Sequence, residues 1–225
     1  KRKTALTRQE QFQQRLSELV PLRRRDDGTE KIIVPVQRKP APLPPAMKSP
    51  MEPELPISSY DDILNIIQAM VHVFERSPTV FKQMGEEDLR TILLVALNGL
   101  YEGGATGETF NGTGKTDILI RHEDRNVFIA ECLMWTGEAT LRSKMDDQLF
   151  KYAMWRDSKL ALLVFNRNKN FTDVINKMRS TVHGHPQCVA SLPFEHMSGA
   201  RYVFNRKDDA QRQFTLTCLA FDVPQ

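Results

Sequence analysis

The stretch that decides the fold runs from Gly114 to Leu133 and reads GKTDILIRHEDRNVFIAECL. Residues 116–120 and 127–131 are rich in branched and aromatic side chains, which strands favour. The polar run His122–Asn126 between them is typical of a turn, so the sequence predicts an antiparallel hairpin. A turn centred on Asp124 would place Asp117 directly opposite Glu131, whereas a one-residue slip would send one carboxylate to the opposite face of the sheet.

Two opposed carboxylates need a positive charge between them. Directly opposed residues have Cβ atoms about 4.5–5.5 Å apart, so the charges would repel unless a cation or a proton lies between them. Mg²⁺ takes one or two carboxylates, keeps several waters and accepts phosphate oxygens. The pair therefore predicts a Mg²⁺ site, with Mn²⁺ as a substitute, that suits a phosphodiester. The alternative is two exposed acids near the ends of strands.

The segments around the hairpin show helical and strand periodicities in alternation. Ser59 is placed to cap the first helix, and Gly103-Gly104 to end the second. The predicted elements are, in order, a helix from Ser59 to about Phe74, a helix over Glu86–Tyr101, strands at Glu108–Asn111, Lys115–Arg121 and Val127–Leu133, a helix over Ala139–Trp155, a buried strand Leu160–Phe165, a helix over Thr172–Ser180, and strands near Val189, at Ala200–Asn205 and at Phe214–Phe221. This order predicts an α/β protein with a mixed central sheet flanked by helices, closed by a hairpin of the last two strands.

The N-terminal part of the chain has a different composition. Seven prolines between Pro40 and Pro56 predict an extended linker over residues 40–58, between an arm (1–39) and a main domain (59–225). The arm predicts a helix at Thr7–Leu19 and a strand at Lys31–Val36. Residues 1–50 carry 12 Lys+Arg and 5 Asp+Glu, a net charge of +7, whereas the rest carries −4. The arm could therefore contact phosphates, a partner protein or a second copy of the chain, or be a solvated tail.

The overall composition is that of an ordinary globular protein. The 225 residues are 40% hydrophobic and 26% charged, enough for one good core. No apolar run approaches the roughly 20 residues of a membrane span, and no signal peptide opens the chain, so we expect a cytoplasmic protein without a membrane partner. The three cysteines are widely spaced, which favours reduced, buried thiols. Because the chain begins with Lys1, we expect it to be trimmed or part of a longer protein.

Asp117, the run Glu131-Cys132-Leu133 and the pair Gln148 and Tyr152 on the following helix together resemble the PD-(D/E)XK nuclease superfamily. The QxxxY spacing is similar to that of its RecB-type branch, and the similarity covers about residues 86–165. The resemblance implies a restriction endonuclease-like αβββαβ core. It also implies a metal-dependent phosphodiesterase that hydrolyses DNA, with RNA as the alternative substrate, of the kind found in bacterial restriction and antiviral defence.

The resemblance also implies roles for individual residues. Asp117 and Glu131 would hold one or two Mg²⁺ ions together with the backbone carbonyl of Cys132. Gln148 and Tyr152, one helical turn apart, would reach the metal-bearing strand or the phosphate. Glu87, on the helix before the sheet, and Glu108, on the first strand, are candidate third acids.

Leu133 departs from this family, which has the catalytic lysine at that position. Leu133 points to the same face as Glu131 and cannot orient a water or stabilise developing charge. Three explanations compete: an engineered inactivating substitution, a natural pseudo-nuclease, or a lysine supplied from elsewhere. The candidates for such a lysine are Lys115, Lys144 and Lys151. Retention of the other motif residues favours the first explanation. The rival functions are a non-catalytic nucleic-acid-binding or scaffold module and a partner-docking module.

Overall fold

The computed structural model describes residues 22–24, 30–32, 54–100, 105–111, 114–122 and 125–223. The chain divides into two compact units, Lys1–Lys48 and Ser49–Gln225. In the first unit, β1 (Leu22–Arg24) pairs antiparallel with β2 (Glu30–Ile32). The strand predicted at Lys31–Val36 overlaps β2, whereas the helix predicted at Thr7–Leu19 and most of the proline-rich segment lie outside the described residues.

The described elements of the second unit follow the predicted order. They are α1 (Ile57–Arg76), α2 (Pro78–Phe81), α3 (Glu86–Leu100), β3 (Ala105–Asn111), β4 (Gly114–His122), β5 (Arg125–Met134), α4 (Glu138–Ser143), a π-helix (Lys144–Leu149), α5 (Phe150–Tyr152), β6 (Lys159–Asn166), α6 (Phe171–His183), β7 (Cys188–Leu192), β8 (Gly199–Asn205) and β9 (Gln213–Asp222). Several bounds differ from the prediction: β3 begins at Ala105 instead of Glu108, α6 continues to His183 instead of ending at Ser180, and two further helices differ. The first helix begins at Ile57, after Pro56, so Ser59 is not its cap. The helix after the hairpin ends at Tyr152 and includes a π-helical segment.

Seven strands form one mixed sheet in the order β3-β4-β5-β6-β9-β8-β7. The central strands β5, β6 and β9 are parallel, and the outer neighbours pair antiparallel, including the predicted closing hairpin of β8 and β9. Every residue of β6, KLALLVFN, is buried, as expected for a parallel strand covered on both faces. The predicted α/β class, with a mixed sheet flanked by helices, is confirmed.

Alternation along the strands divides the core into two clusters, one on each face of the sheet. Ile118, Ala130 and Cys132 belong to the cluster that α1 and α3 cover. Leu119 and Leu133 belong to the cluster that α4, the π-helix and α6 cover. Neighbouring residues of β4 and β5 therefore contribute to opposite cores, and the sheet is sandwiched between two helical layers.

The register of the β4–β5 hairpin agrees with the prediction where it matters for the acids. Ile118 pairs with Ala130 and Leu119 with Ile129, so the next positions, Asp117 and Glu131, lie at matching places on the two strands. A register shift follows between Ile120 and Arg121, towards the turn. The bulge therefore leaves the arrangement of the acids unchanged.

None of the described helices is both long and apolar enough to cross a membrane.

Candidate active site

The site lies where β4 and β5 separate. Their ladder ends at the pair Ile118–Ala130, and the backbone N–H groups further along β5 are taken up by side chains instead. The N–H of Cys132 donates to Asp117 Oδ2 at 2.8 Å, and the N–H of Met134 donates to Glu86 Oε2 at 3.0 Å. The opening of the hairpin thus draws a carboxylate from β4 and another from the start of α3 towards the strand that carries Glu131.

Lys144 places an ammonium group among these carboxylates. Its Nζ lies 3.2 Å from Asp117 Oδ2, 3.3 Å from Glu131 Oε2 and 3.6 Å from Glu86 Oε1. Lys144 is the first residue of the π-helix, which packs over β4 and β5, and its side chain is only 13% exposed. Three carboxylates from three elements therefore converge on one cation.

Arg90 approaches Asp117 from the opposite helical layer. Its Nη1 donates to Asp117 Oδ1 at 2.9 Å, and its side chain is 9% exposed. Arg90 is on α3, one helical turn after Glu86, so both residues extend from the same face of that helix. Asp117 is consequently held through both oxygens, by Arg90 on one side and by Lys144 and the Cys132 N–H on the other. Such charge-assisted hydrogen bonds fix its orientation.

The environment separates the pKa values of the two central acids. Burial, followed by the charge of Asp117, raises the pKa of Glu131 to about 8. Burial opposes ionisation of Asp117 as well, but Lys144 and the Cys132 N–H outweigh it and lower the pKa of Asp117. Burial likewise disfavours the charged form of Lys144, yet Asp117, Glu131 and Glu86 together raise its pKa. At neutral pH the site therefore holds an ionised Asp117, a protonated Glu131 and a charged Lys144.

The donor set is compatible with a hard cation. Glu131 is 1% exposed, and its Oε1 is buried without a hydrogen-bond partner. The N–H and C=O of one residue in an extended strand point to the same edge, so the Cys132 carbonyl is directed to the edge where its N–H meets Asp117. Oxygen ligands of this kind suit Mg²⁺. In the described part of the chain, no group of three or more His, Cys, Asp and Glu side chains is arranged to hold a metal ion.

The other predicted site residues lie at different distances from the carboxylate cluster. Gln148 and Tyr152 follow Lys144 at intervals of four residues and are half-buried, so they continue its side of the helical segment. α5, which carries Tyr152, contacts β4. Glu87 is exposed on α3 and stands outside the cluster; its neighbour Glu86 is the acid that reaches it. The side chain of Glu108 is outside the described part of the structure.

Leu133 is a core residue. It is 2% exposed and belongs to the same buried cluster as Leu141, Met145 and Leu149 from the helical layer above. Its position on the face of Glu131 agrees with the alternation expected from the sequence. An ammonium at this position would be surrounded by apolar side chains, whereas Lys144 reaches the carboxylates from outside that cluster.

Lys144 is one of the three candidate lysines predicted from the sequence, whereas Arg90 and Glu86 were not among the predicted site residues. A signal for both existed in α3. The apolar stripe of that helix includes Leu89, Leu93 and Leu97, which are buried. Glu86 precedes Leu89 by three positions, and Arg90 precedes Leu93 by three, so both charges lie beside the buried stripe. Charged residues in such positions need partners.

Comparison of the chain with protein-family models, with curated proteins and with solved structures finds no match.

Proposed function

We propose that the protein is a metal-dependent nuclease of the PD-(D/E)XK type, acting on DNA or alternatively RNA, in which Lys144 replaces the lysine that the motif has at position 133. The observation that carries this proposal is the position of the Lys144 ammonium, 3.2 Å from Asp117 and 3.3 Å from Glu131. The order α3-β3-β4-β5-α4-β6 supports the proposal, because it is the αβββαβ order of a restriction endonuclease-like core. Lys144 also makes an engineered loss of lysine unnecessary as an explanation for Leu133.

The roles follow from the contacts of each side chain. Asp117, Glu131 and the Cys132 carbonyl would hold Mg²⁺. A bound Mg²⁺ would lower the pKa of a water ligand and neutralise charge on the phosphate. Arg90 keeps Asp117 oriented through Oδ1 and is therefore a positioning residue. Lys144 would hydrogen-bond a phosphate oxygen or the attacking water, which are the tasks of the motif lysine.

A cleavage assay in Mg²⁺ or Mn²⁺ tests this proposal. The substrates are supercoiled plasmid, linear duplex, single-stranded DNA and RNA. We expect the wild-type chain to cleave one of them and Asp117→Ala to be inactive. Lys144→Met should lose about 10²–10³-fold in rate, as is typical for removal of one positioned donor. Lys151→Met, at an exposed position seven residues further on, is the matched control and should retain full activity.

One observation favours a second candidate, a non-catalytic nucleic-acid-binding or scaffold module. Lys144 and Arg90 between them neutralise the charge of Asp117, so the cluster could also serve only as a structural ion-pair network. Such a module would bind DNA or a partner without cleaving any of the four substrates. Asp117→Ala would then reduce stability and leave nucleic-acid affinity unchanged.

A further inference from the structure

Lys144 occupies the place that a divalent cation would take. A cation held by both carboxylates would need oxygen atoms of Asp117 and Glu131, and the Lys144 Nζ already contacts one oxygen of each, Asp117 Oδ2 at 3.2 Å and Glu131 Oε2 at 3.3 Å. Glu86 Oε1, the third carboxylate oxygen, faces the same Nζ at 3.6 Å. The ammonium and a metal ion cannot share these oxygens without strong repulsion at such distances.

One carboxylate oxygen of the cluster, Glu131 Oε1, has no hydrogen-bond partner among the described residues. Glu131 is 1% exposed, and its second oxygen, Oε1, lacks a hydrogen-bond donor. A buried carboxylate oxygen without a partner is costly, so this atom retains an unmet demand that Lys144 does not satisfy. A metal ion coordinated by both carboxylates could contact Glu131 Oε1. The Lys144 ammonium already contacts three other oxygens, Glu131 Oε2, Asp117 Oδ2 and Glu86 Oε1.

We propose that Lys144 is a tethered competitor of the metal ion, which leaves the carboxylates when the metal enters and moves to a phosphate of the nucleic acid. This proposal deepens the proposed function, and it rests on that function for the identity of the phosphate ligand. The lysine stem has four rotatable carbons and ends in a compact ammonium with three donors, so it can exchange one anion for another. The Cys132 N–H and Arg90 continue to hold Asp117 after Lys144 leaves.

Coupling between the two ligands follows from this exchange. Without nucleic acid, the metal must displace the ammonium into water, and its affinity is reduced. When a phosphate is present, the displaced ammonium gains a new anionic partner, so the metal binds more tightly. By thermodynamic linkage, the metal must raise the affinity for nucleic acid by the same factor. Lys144 thereby restrains metal loading until substrate is bound.

The first test measures Mn²⁺ binding to the metal-free chain, without nucleic acid, from the electron paramagnetic resonance signal of free Mn²⁺. We expect Lys144→Met to bind Mn²⁺ at least about tenfold more tightly than wild type, because the competing charge is gone. Lys144→Arg keeps a positive charge and should bind no more tightly than wild type. Lys151→Met should match wild type. Equal affinities of wild type and Lys144→Met would overturn the proposal.

A second measurement uses the wild-type chain and so does not depend on whether Lys144→Met folds. Limited acetylation of lysines followed by mass spectrometry reports how accessible each ammonium is. Saturating Mn²⁺ should increase acetylation of Lys144 several-fold and leave exposed Lys151 and Lys177 unchanged. Equal acetylation of Lys144 with and without bound Mn²⁺ would contradict the displacement of its ammonium by the metal.

A third measurement tests whether Lys144 couples the binding of Mn²⁺ to the binding of nucleic acid. Binding of a fluorescent, cleavage-resistant phosphorothioate duplex is followed by anisotropy with and without Mn²⁺. Mn²⁺ should strengthen binding more for wild type than for Lys144→Met, and an equal effect would refute the coupling. The outcomes separate the two proposals: tighter Mn²⁺ binding by Lys144→Met without cleavage by wild type would reject the nuclease and retain the competition. Cleavage by wild type, with the same Mn²⁺ affinity in wild type and Lys144→Met, would support the nuclease and reject the competition.

Discussion

Replacement of Lys144 by methionine should destabilise the metal-free protein, and the size of the effect should depend on pH. The change keeps an unbranched side chain that is one atom shorter, but it removes the only ammonium that contacts both Asp117 and Glu131 in the described part of the site. Two unit charges about 3.2 Å apart attract by about 5 kcal/mol at an effective dielectric constant of about 20. Desolvation offsets part of this attraction, and loss of one partner from a buried ion pair costs about 3–5 kcal/mol.

Protonation of Glu131 makes this cost pH-dependent. At pH 6 Glu131 is neutral, because burial and Asp117 raise its pKa to about 8, and Lys144 then pairs mainly with Asp117 and Glu86. Lys144 is among the groups that lower the pKa of Glu131, so in Lys144→Met this pKa should rise further. Titration of Glu131 stops lowering the stability of wild type above about pH 8, whereas in the variant it continues to lower stability by about 1.4 kcal/mol per pH unit up to the higher Glu131 pKa of the variant. The destabilisation should therefore be larger at pH 9 than at pH 6.

Urea unfolding followed by tryptophan fluorescence at pH 6 and pH 9 measures the difference. Trp135 is buried and reports loss of the core. We expect Lys144→Met to be destabilised by about 3 kcal/mol at pH 9 and by clearly less at pH 6. Lys151→Met, which changes an exposed lysine, should stay within about 0.5 kcal/mol of wild type at both values. A variant as stable as wild type at pH 9 would refute the buried ion-pair network.

Three further predictions concern the other residues of the site. For wild type, Glu131 keeps its proton in the folded chain but loses it in the unfolded chain between its ordinary pKa of 4.5 and the raised pKa of about 8, so its contribution to the free energy of unfolding should fall across this range and level off above it. Glu131→Gln should remove most of that slope in urea titrations, and an unchanged slope would assign it to another group. Asp117→Asn removes the charge that, after burial, most raises the pKa of Glu131, so a carboxyl carbon NMR titration should show a lower Glu131 pKa; a higher one would contradict the coupling. Leu133→Lys buries an ammonium in an apolar cluster and should lower stability by about 3 kcal/mol or more without raising the cleavage rate, whereas Leu133→Met should cost less than about 1.5 kcal/mol. Higher activity of Leu133→Lys would show that position 133 is the natural place of the lysine.

Much of the fold could be predicted because local patterns coincided with the final packing. The strands of the hairpin alternate between two buried faces, so the register that places Asp117 at the level of Glu131 was contained in the spacing of apolar residues. The β6 sequence KLALLVFN is apolar almost throughout, which identified a strand covered on both sides. The bulge beyond Ile120 was not predictable, since it depends on how the turn closes.

The site was only partly predictable because its polar residues come from four separate elements, α3, β4, β5 and the π-helix. Lys144 follows α4 and begins a π-helix, and a pattern with 3.6 residues per turn does not indicate which way its side chain will point. Glu86 and Glu87 are neighbours on α3 and point in different directions about the helix axis, so which of them reaches the site depends on how that helix packs. The position of Arg90 beside the buried stripe of α3 indicates that it needs a partner, but that this partner is Asp117 depends on how α3 packs against β4.

The most direct test of the central claim is single-turnover cleavage of an end-labelled duplex at saturating Mn²⁺, compared among wild type, Lys144→Met, Lys151→Met and Asp117→Ala. Saturating metal removes any difference in metal affinity, so the rate reports the role of the ammonium in the reaction itself. We predict cleavage by wild type and Lys151→Met, a rate lower by about 10²–10³-fold for Lys144→Met, and none for Asp117→Ala. Equal rates for wild type and Lys144→Met would contradict the assignment of Lys144 as the functional lysine of this site.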